Sequence, residues 1–158
     1  MKHSINCYFC GNLFDERECQ PADKYNDNDG GDICPLCAIL LDIGGKRMSI
    51  GGIEEDYENI KKLGRRFNPE TVHINPGVPS QCHRNTALCW EANREKCAIF
   101  ISTGYGLSKD GIWRQHSWCV LLDEGDLPIV VETTVKRIEY FGFILTEQQA
   151  NDFYDQNL

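Results

Sequence analysis

Three residue types that together perform nucleophilic chemistry occur in the second half of the chain: Cys82, His116 and Glu132. Cys82 lies where a loop runs into a predicted helix, since good helix formers and an apolar face follow over residues 87 to 92. The dipole and the unpaired N–H groups of a helix N-terminus stabilise a thiolate, the reactive form of cysteine. A lone cysteine is more often a small buried apolar residue, so the case for Cys82 depends on the histidine and the glutamate.

His116 and Glu132 lie on two predicted neighbouring strands, residues 114 to 122 and 128 to 135, joined by a short turn. A hairpin centred near Glu124 pairs position 116 with position 132 on one face of the sheet. A carboxylate beside an imidazole fixes its tautomer and stabilises the imidazolium. If the predicted helix packs its N-terminus on that face, a Cys-His-Glu triad results. The plainer alternative is a solvent-facing cross-strand pair.

The elements that must position these side chains form a helix followed by a sheet. Further strands are predicted at residues 97 to 103 and 140 to 145, and a final helix begins at Thr146 with a capping box to Gln149. Residues 104 to 113 hold three glycines and are predicted to form a loop, either a gate over a substrate groove or an ordinary hairpin loop. A helix with a mostly antiparallel sheet is an α+β fold.

A second group of chemically active residues lies near the N-terminus, in two C-x-x-C pairs: Cys7 with Cys10, and Cys34 with Cys37. Four thiolates bind one tetrahedral Zn²⁺ in a closed site that stabilises a small module without doing chemistry. We therefore predict one structural zinc. A redox pair or simply buried cysteines are the alternative. Cys19 is the alternate ligand to consider, but we interpret it as a bystander.

The rest of the first half divides at glycine-rich and polar stretches. A helix is predicted over residues 38 to 43 and ended by Gly44, and residues 20 to 32 form a solvated loop without the spacing of a calcium loop. We predict a zinc module over residues 1–48. A connector follows over residues 49–79, with a helix at 54 to 63 and a strand at 71 to 74. Residues 80–158 form the α+β core.

Composition limits the partners. The chain has 158 residues, one domain or one domain with a small module, and a net charge of −8, so no nucleic-acid partner is expected. No segment has the apolar length of a membrane span, so no membrane is expected. Nine cysteines without a recognisable secretory signal favour metal binding and free thiols, and hence a cytoplasmic location. The sequence leaves the oligomeric state open.

Short motifs in this order resemble the papain-like and transglutaminase-like superfamily, in particular small bacterial and phage-borne proteins. The motifs are Cys82-His-Arg-Asn85, His116-Ser-Trp118, Glu132-Thr-Thr134 and Tyr140-Phe-Gly142. Glu132 occupies a position where aspartate is usual. Residues 1–48, with one knuckle on a hairpin and one at a helix start, resemble treble-clef and zinc-ribbon modules.

The resemblance implies acyl transfer on an amide of a protein or peptide: hydrolysis, glutamine deamidation or transamidation. Cys82 would be the nucleophile, His116 the base and then the acid, and Glu132 the orienting group. The Cys82 N–H and the Gln81 side chain would bind the oxyanion. One alternative is an inactive, zinc-stabilised interaction module. Another is a metal hydrolase that binds a second zinc through Cys82, His83, His116 and Glu132.

Overall fold

The computed structural model describes residues 4–22, 30–47, 56–122, 124–125 and 127–158. In chain order the elements are β1 (Ser4–Asn6), β2 (Leu13–Asp15), a 3-10 turn (Glu16–Glu18), β3 (Gln20–Pro21), β4 (Asp32–Ile33), α1 (Pro35–Ile43), β5 (Lys46–Arg47), α2 (Tyr57–Leu63), β6 (Arg65–Phe67), β7 (Val72–Ile74), α3 (Cys82–Asn93), β8 (Ile99–Leu107), β9 (Ile112–Leu122), β10 (Pro128–Glu132), β11 (Glu139–Ile144) and α4 (Glu147–Gln156).

One seven-stranded sheet organises the chain, with strand order β6-β11-β8-β9-β10-β7 and β5 added alongside β9. Most pairs are antiparallel, whereas β7 runs parallel to β10 and β5 parallel to β9. Together with the four helices, this confirms the predicted α+β class in its general form. None of the helices in the described ranges is long and apolar enough to span a membrane.

The sheet is curled and buries side chains on both faces. Inside the curl, Phe67 from β6 packs with Trp118, Val120, Val130 and Tyr140. On the other face, α3 and α4 cover the sheet in a core that also contains α1 and the four N-terminal cysteines. Alternation along β9 therefore sends Trp118 and Val120 to one face and Cys119 to the other, as predicted.

The predicted loop over residues 104 to 113 is wrong, because β8 continues to Leu107 and only residues 108 to 111 connect it to β9. Gly104 and Gly106 have a packing role inside β8. Gly104 lies opposite His116 and next to Gly142. A Cβ on Gly142 would come 2.9 Å from the Trp118 ring, and one on Gly106 would come 3.2 Å from His116 Cδ2. Glycine at these positions leaves room for the rings on this face.

The predicted register between the two site strands is off by two residues. Val131 pairs with Cys119, which places Glu132 level with Trp118 and diagonal to His116. Both residues still lie on one face, because a shift of two preserves the alternation.

The remaining helices lie near their predicted positions. α1 begins three residues before the predicted start, with Cys34 as its N-cap. The capping box between Thr146 and Gln149 at the start of α4 is present as predicted. The glycine-rich boundary at residues 48–53, the predicted helix start at 54–55 and most of the polar loop at 23–29 lie outside the described residues. The domain boundaries stay predictions.

Candidate functional site

The first turn of α3 carries Cys82. The helix packs on the face of the sheet that Cys119 shares, so the predicted packing on the face of His116 and Trp118 is wrong, yet Cys82 still interacts with the His116 imidazole.

Ser80 just before Cys82 has φ 63°, and among the described residues other than glycine it is alone in having a positive φ. Such a conformation is costly and is often found at functional sites. The helix is tied to β9, since Thr86 Oγ1 donates to the Ser117 carbonyl at 3.0 Å. The backbone therefore fixes where the Cys82 thiol lies relative to β9.

Asn85 holds the loop that leads into this turn, a role that sequence reasoning missed. Its Nδ2 donates to the Val78 carbonyl at 2.7 Å, and its Oδ1 accepts from the Val78 N–H at 3.1 Å. Nδ2 also reaches the Thr133 carbonyl, just after β10, at 3.3 Å. Gly77 leaves room for the Asn85 side chain, since a Cβ there would overlap it. Asn85 is the last residue of the Cys-x-x-Asn motif, and that motif is the sequence signal that could have pointed to this role.

His116 is buried, with 1% of its surface exposed, and so is Glu132 at 0%. The two side chains are 2.8 Å apart from Nε2 to Oε2, so the alternative of a solvent-facing pair is excluded. The Trp118 ring stacks on the imidazole with centroids 5.9 Å apart and planes 27° apart. Trp118 is fully buried and covers one face of the imidazole.

Glu132 accepts four hydrogen bonds. Oε2 also accepts from the Tyr140 hydroxyl at 2.9 Å, and Oε1 accepts from Thr134 N–H and Oγ1–H, both at 2.8 Å. An ionised carboxylate only accepts, so His116 Nε2 carries a proton. With Nε2 bound to Glu132, the interaction with Cys82 that shifts the pKa of both groups is made by Nδ1, and Nδ1 has no close hydrogen bond to any other described residue. Tyr140 and Thr134 belong to two of the sequence motifs, which gave them no role. The structure shows that both donate hydrogen bonds to the Glu132 carboxylate.

Glutamate in place of aspartate is accounted for by the register. The diagonal neighbour of a cross-strand pair lies about 7–8 Å away, farther than the direct partner. The extra methylene of Glu132 lets its carboxylate reach His116 across that diagonal, and the contact is as short as any other that Glu132 makes.

The electrostatics favour a thiolate–imidazolium pair. Burial raises the pKa of Cys82, but hydrogen bonding and charge interaction with His116 and the N–H groups of Ser117 and His83 outweigh it, and the pKa is lowered. Burial acts to lower the pKa of His116, but contacts with Cys82 and Glu132 raise it. Burial opposes ionisation of Glu132, whereas His116 and Thr134 lower its pKa overall. Each charged form is stabilised by its neighbours.

The other predicted residues lie around this site. Gln81 is exposed, takes the N-cap position of α3 and makes no side-chain capping bond; its oxyanion role stays a prediction. His83 Nδ1 is 2.7 Å from Ser117 Oγ and its ring packs on Phe153, so its imidazole lies between β9 and α4. In the described ranges, the cysteine cluster is the only group of side chains placed to bind a metal; the alternative second metal site is not formed.

The four N-terminal cysteines do converge. Cys7 and Cys10 follow β1 in the turn of the β1–β2 hairpin, and Cys34 and Cys37 lie at the start of α1. All four are buried, their sulfur atoms lie within 4.8 Å of one another, and none forms a disulfide. Main-chain N–H groups support the sulfurs, with Cys34 N 3.4 Å from Cys7 Sγ. These residues could hold a metal ion, and Cys19 is not among them.

Arg47 on β5 joins this cluster to the sheet, which no spacing in the sequence indicated. Only 3% of it is exposed. Its Nη2 lies 3.0 Å from Cys10 Sγ, its Nε 3.4 Å from Cys37 Sγ, and its Nη1 donates to the Tyr105 hydroxyl on β8 at 3.0 Å. A buried cation at this position would offset the negative charge of the thiolates when they hold a metal ion.

Comparison with protein-family models, with curated proteins and with solved structures found no match.

Proposed function

We propose that the chain is a cysteine-dependent acyl-transfer enzyme acting on amide bonds, with Cys82, His116 and Glu132 as its triad. The observation that carries the proposal is the buried His116–Glu132 pair, whose one unsatisfied ring nitrogen is free to act on a helix-start thiol. Burying a carboxylate costs free energy even when it accepts four hydrogen bonds. Orienting a reactive imidazole is a function that accounts for such a group.

In this proposal the Cys82 thiolate attacks the carbonyl carbon of an amide. The oxyanion gains the Cys82 N–H, whose place in the first turn of α3 leaves it without an intrahelical partner. His116, protonated at Nδ1, gives that proton to the departing nitrogen as the C–N bond breaks. Water or an amine then attacks the thioester while His116 accepts its proton, and the thiolate leaves. Glu132 keeps Nε2 protonated throughout, so the imidazole works only through Nδ1.

The arrangement also supports a papain-like or transglutaminase-like core. A helix with the cysteine at its start packs on an antiparallel sheet, with the histidine and the acid on adjacent strands. For the metal we propose zinc. A tetrahedral ion with Zn–S of about 2.3 Å holds its sulfurs about 3.8 Å apart, and the four sulfurs here lie within 4.8 Å of one another, close enough to surround such an ion. With every position filled by sulfur, its role is structural. All nine cysteines are free, which suits a reducing compartment, and we propose a cytoplasmic location.

Labelling with peptidyl acyloxymethyl ketones, which alkylate activated thiols, tests the proposal. Mapping by mass spectrometry should find the label at Cys82, and His116→Ala should abolish it. The exposed thiol of Cys97 is the internal control, because exposure without an imidazole should give little labelling. If Cys82 reacts no faster than Cys97 and His116→Ala has no effect, the zinc-stabilised interaction module becomes the better account.

A further inference from the structure

The thiol and the imidazole of the proposed triad are each followed in the chain by a residue of a second contact. His83 follows Cys82 at the start of α3, and Ser117 follows His116 on β9. His83 Nδ1 lies 2.7 Å from Ser117 Oγ. This hydrogen bond therefore joins α3 to β9 one residue away from the pair that performs the chemistry.

The hydroxyl of Ser117 fixes the direction of that bond. Ser117 Oγ donates to Thr103 Oγ1 on β8 at 3.0 Å. A hydroxyl has one proton to donate, so Ser117 Oγ accepts at its other contact, and His83 donates from Nδ1. Burial and the nearby charge of His116 lower the pKa of His83. The imidazole of His83 is therefore neutral at neutral pH, with its single proton on Nδ1.

The main-chain polar atoms of Ser117 are bound by α3 as well. Its N–H donates to Cys82 Sγ and is one of the groups that lower the pKa of that thiol. Its carbonyl accepts from Thr86 Oγ1 at 3.0 Å. Because Ser117 is fully buried, solvent does not replace a partner that is lost. The position of Ser117 relative to α3 therefore depends on three contacts, of which His83 makes one.

The sheet leaves this side of β9 to the helix. The last pair of the ladder between β9 and β10 is Cys119 with Val131. Successive N–H groups of a strand point to opposite neighbours, and Leu122 N–H points to β8, where it donates to the Ala98 carbonyl. Ser117 lies five residues earlier, so its N–H points away from β8 and past the end of the β10 ladder. The contacts with α3 take the place of strand pairing there.

We propose that His83 is a positioning residue, which holds the first turn of α3 against β9 through Ser117 and so sets how the Cys82 sulfur meets its partners on β9. This inference rests on the proposed acyl-transfer function and adds a side chain that acts in it without touching the reacting atoms. An N–H group stabilises a thiolate only while it points at the sulfur. If α3 shifts relative to β9, Cys82 loses alignment with both the Ser117 N–H and the imidazole of His116.

The competing role for His83 is packing alone, because its ring lies edge-on to Phe153 of α4 with centroids 5.9 Å apart. The two roles need different parts of the side chain: packing needs its bulk, and positioning needs a donor at Nδ1. His83→Leu keeps apolar bulk against Phe153 and removes the donor. His83→Asn keeps an N–H at about the position of Nδ1 and loses most of the ring. The two variants are therefore matched controls for each other.

The assay is the alkylation rate of Cys82 by iodoacetamide across pH, with metal retained and the thioether quantified at Cys82 by peptide mapping. Below the pKa of Cys82, His83→Leu should react about three- to tenfold more slowly than the wild type, the effect of one hydrogen bond. The rates should converge at high pH, where the thiol is ionised in both proteins. His83→Asn should follow the wild type. Ser117→Ala removes the acceptor and should behave as His83→Leu does, and it replaces that variant if thermal unfolding shows that the latter is destabilised.

The proposal is overturned if His83→Leu follows the wild type, if His83→Asn is slowed as much as His83→Leu, or if the slowing is the same at every pH. Failure of the proposed function gives a different result. In that case the wild-type thiol titrates at or above its ordinary pKa of 9.0 and does not respond to His116→Ala. A lowered, His116-dependent pKa of Cys82 that is unchanged in His83→Leu would refute the role of His83 alone.

Discussion

Replacing Arg47 by methionine tests whether the cysteine cluster and the sheet depend on one buried charge. Methionine keeps an unbranched stem and removes the guanidinium, together with its contacts to Cys10, Cys37 and Tyr105. A divalent ion bound by four thiolates has a net charge of about −2. In the metal-bound protein, Arg47 is the buried cation in contact with that charge, so its loss should destabilise the fold.

The size of the effect follows from burial. Breaking a buried, hydrogen-bonded charge pair costs about 3–5 kcal/mol, and Arg47 is 3% exposed. At about 2–4 °C per kcal/mol for a chain of this length, the melting temperature should fall by about 10 °C. Loss of an outer-sphere partner should weaken metal binding by about 10–100-fold. In metal-free protein the thiols can protonate and no longer need the cation, so the loss of stability should be much smaller there.

Calorimetry with zinc bound and after chelation, together with competition against a zinc-binding dye, measures these quantities. Arg94→Met is the matched control, because Arg94 lies on the surface, stacked on Trp90 and paired with Glu91 at 3.2 Å; its loss should change stability by about 0.5 kcal/mol or less. If Arg47→Met costs no more than the control, or costs the same with and without metal, the reasoning about the buried charge is refuted.

Three further predictions concern the site and the metal. The difference in free energy of unfolding between wild type and Glu132→Gln should be largest above pH 4.5, the ordinary pKa of the carboxyl. It should shrink as the pH falls through the lowered pKa of folded Glu132, because a protonated Glu132 loses its ionic partners. Urea unfolding across this pH range checks the prediction, and a constant difference contradicts it. Tyr140→Phe should cost about 1–3 kcal/mol by urea unfolding and slow alkylation of Cys82, since one donor to Glu132 is lost; an unchanged alkylation rate would show that this bond does not orient the imidazole. Metal analysis should find one zinc per chain in the wild type and none in Cys34→Ser. If the wild type holds two zinc ions and Cys34→Ser keeps one of them, the alternative site at Cys82 is supported.

Much of the fold could be predicted because the signals were local. Helix starts at Cys82 and Thr146 and the alternation along β9 depend on neighbouring residues, and the structure agrees with them. The C-x-x-C spacing likewise predicted the four-cysteine cluster, because each pair forms its knuckle from residues close in sequence. Whether the metal is zinc remains a prediction.

The contacts that could not be predicted are those made across the fold. Glycines at residues 104 and 106 read as a loop, because sequence patterns do not show that the backbone of β11 will approach Gly104 closely or that the His116 ring will lie over Gly106. The hairpin register depends on the connection between β9 and β10, and a shift of two keeps the same alternation, so the pattern could not distinguish the two registers. Arg47 and Arg137 meet partners 58 and 29 residues away, and no spacing rule connects them.

The most direct test of the account is the pH dependence of Cys82 alkylation by iodoacetamide, with metal retained, in wild type and His116→Ala. The account predicts a thiolate that titrates below the ordinary thiol pKa of 9.0, because His116 and the N–H groups around the sulfur outweigh burial. In His116→Ala the interaction that most lowers the pKa of Cys82 is lost while burial remains, so the pKa of Cys82 should be higher than in the wild type. Coincident profiles, or a wild-type thiol that titrates at or above its ordinary pKa, would contradict the triad.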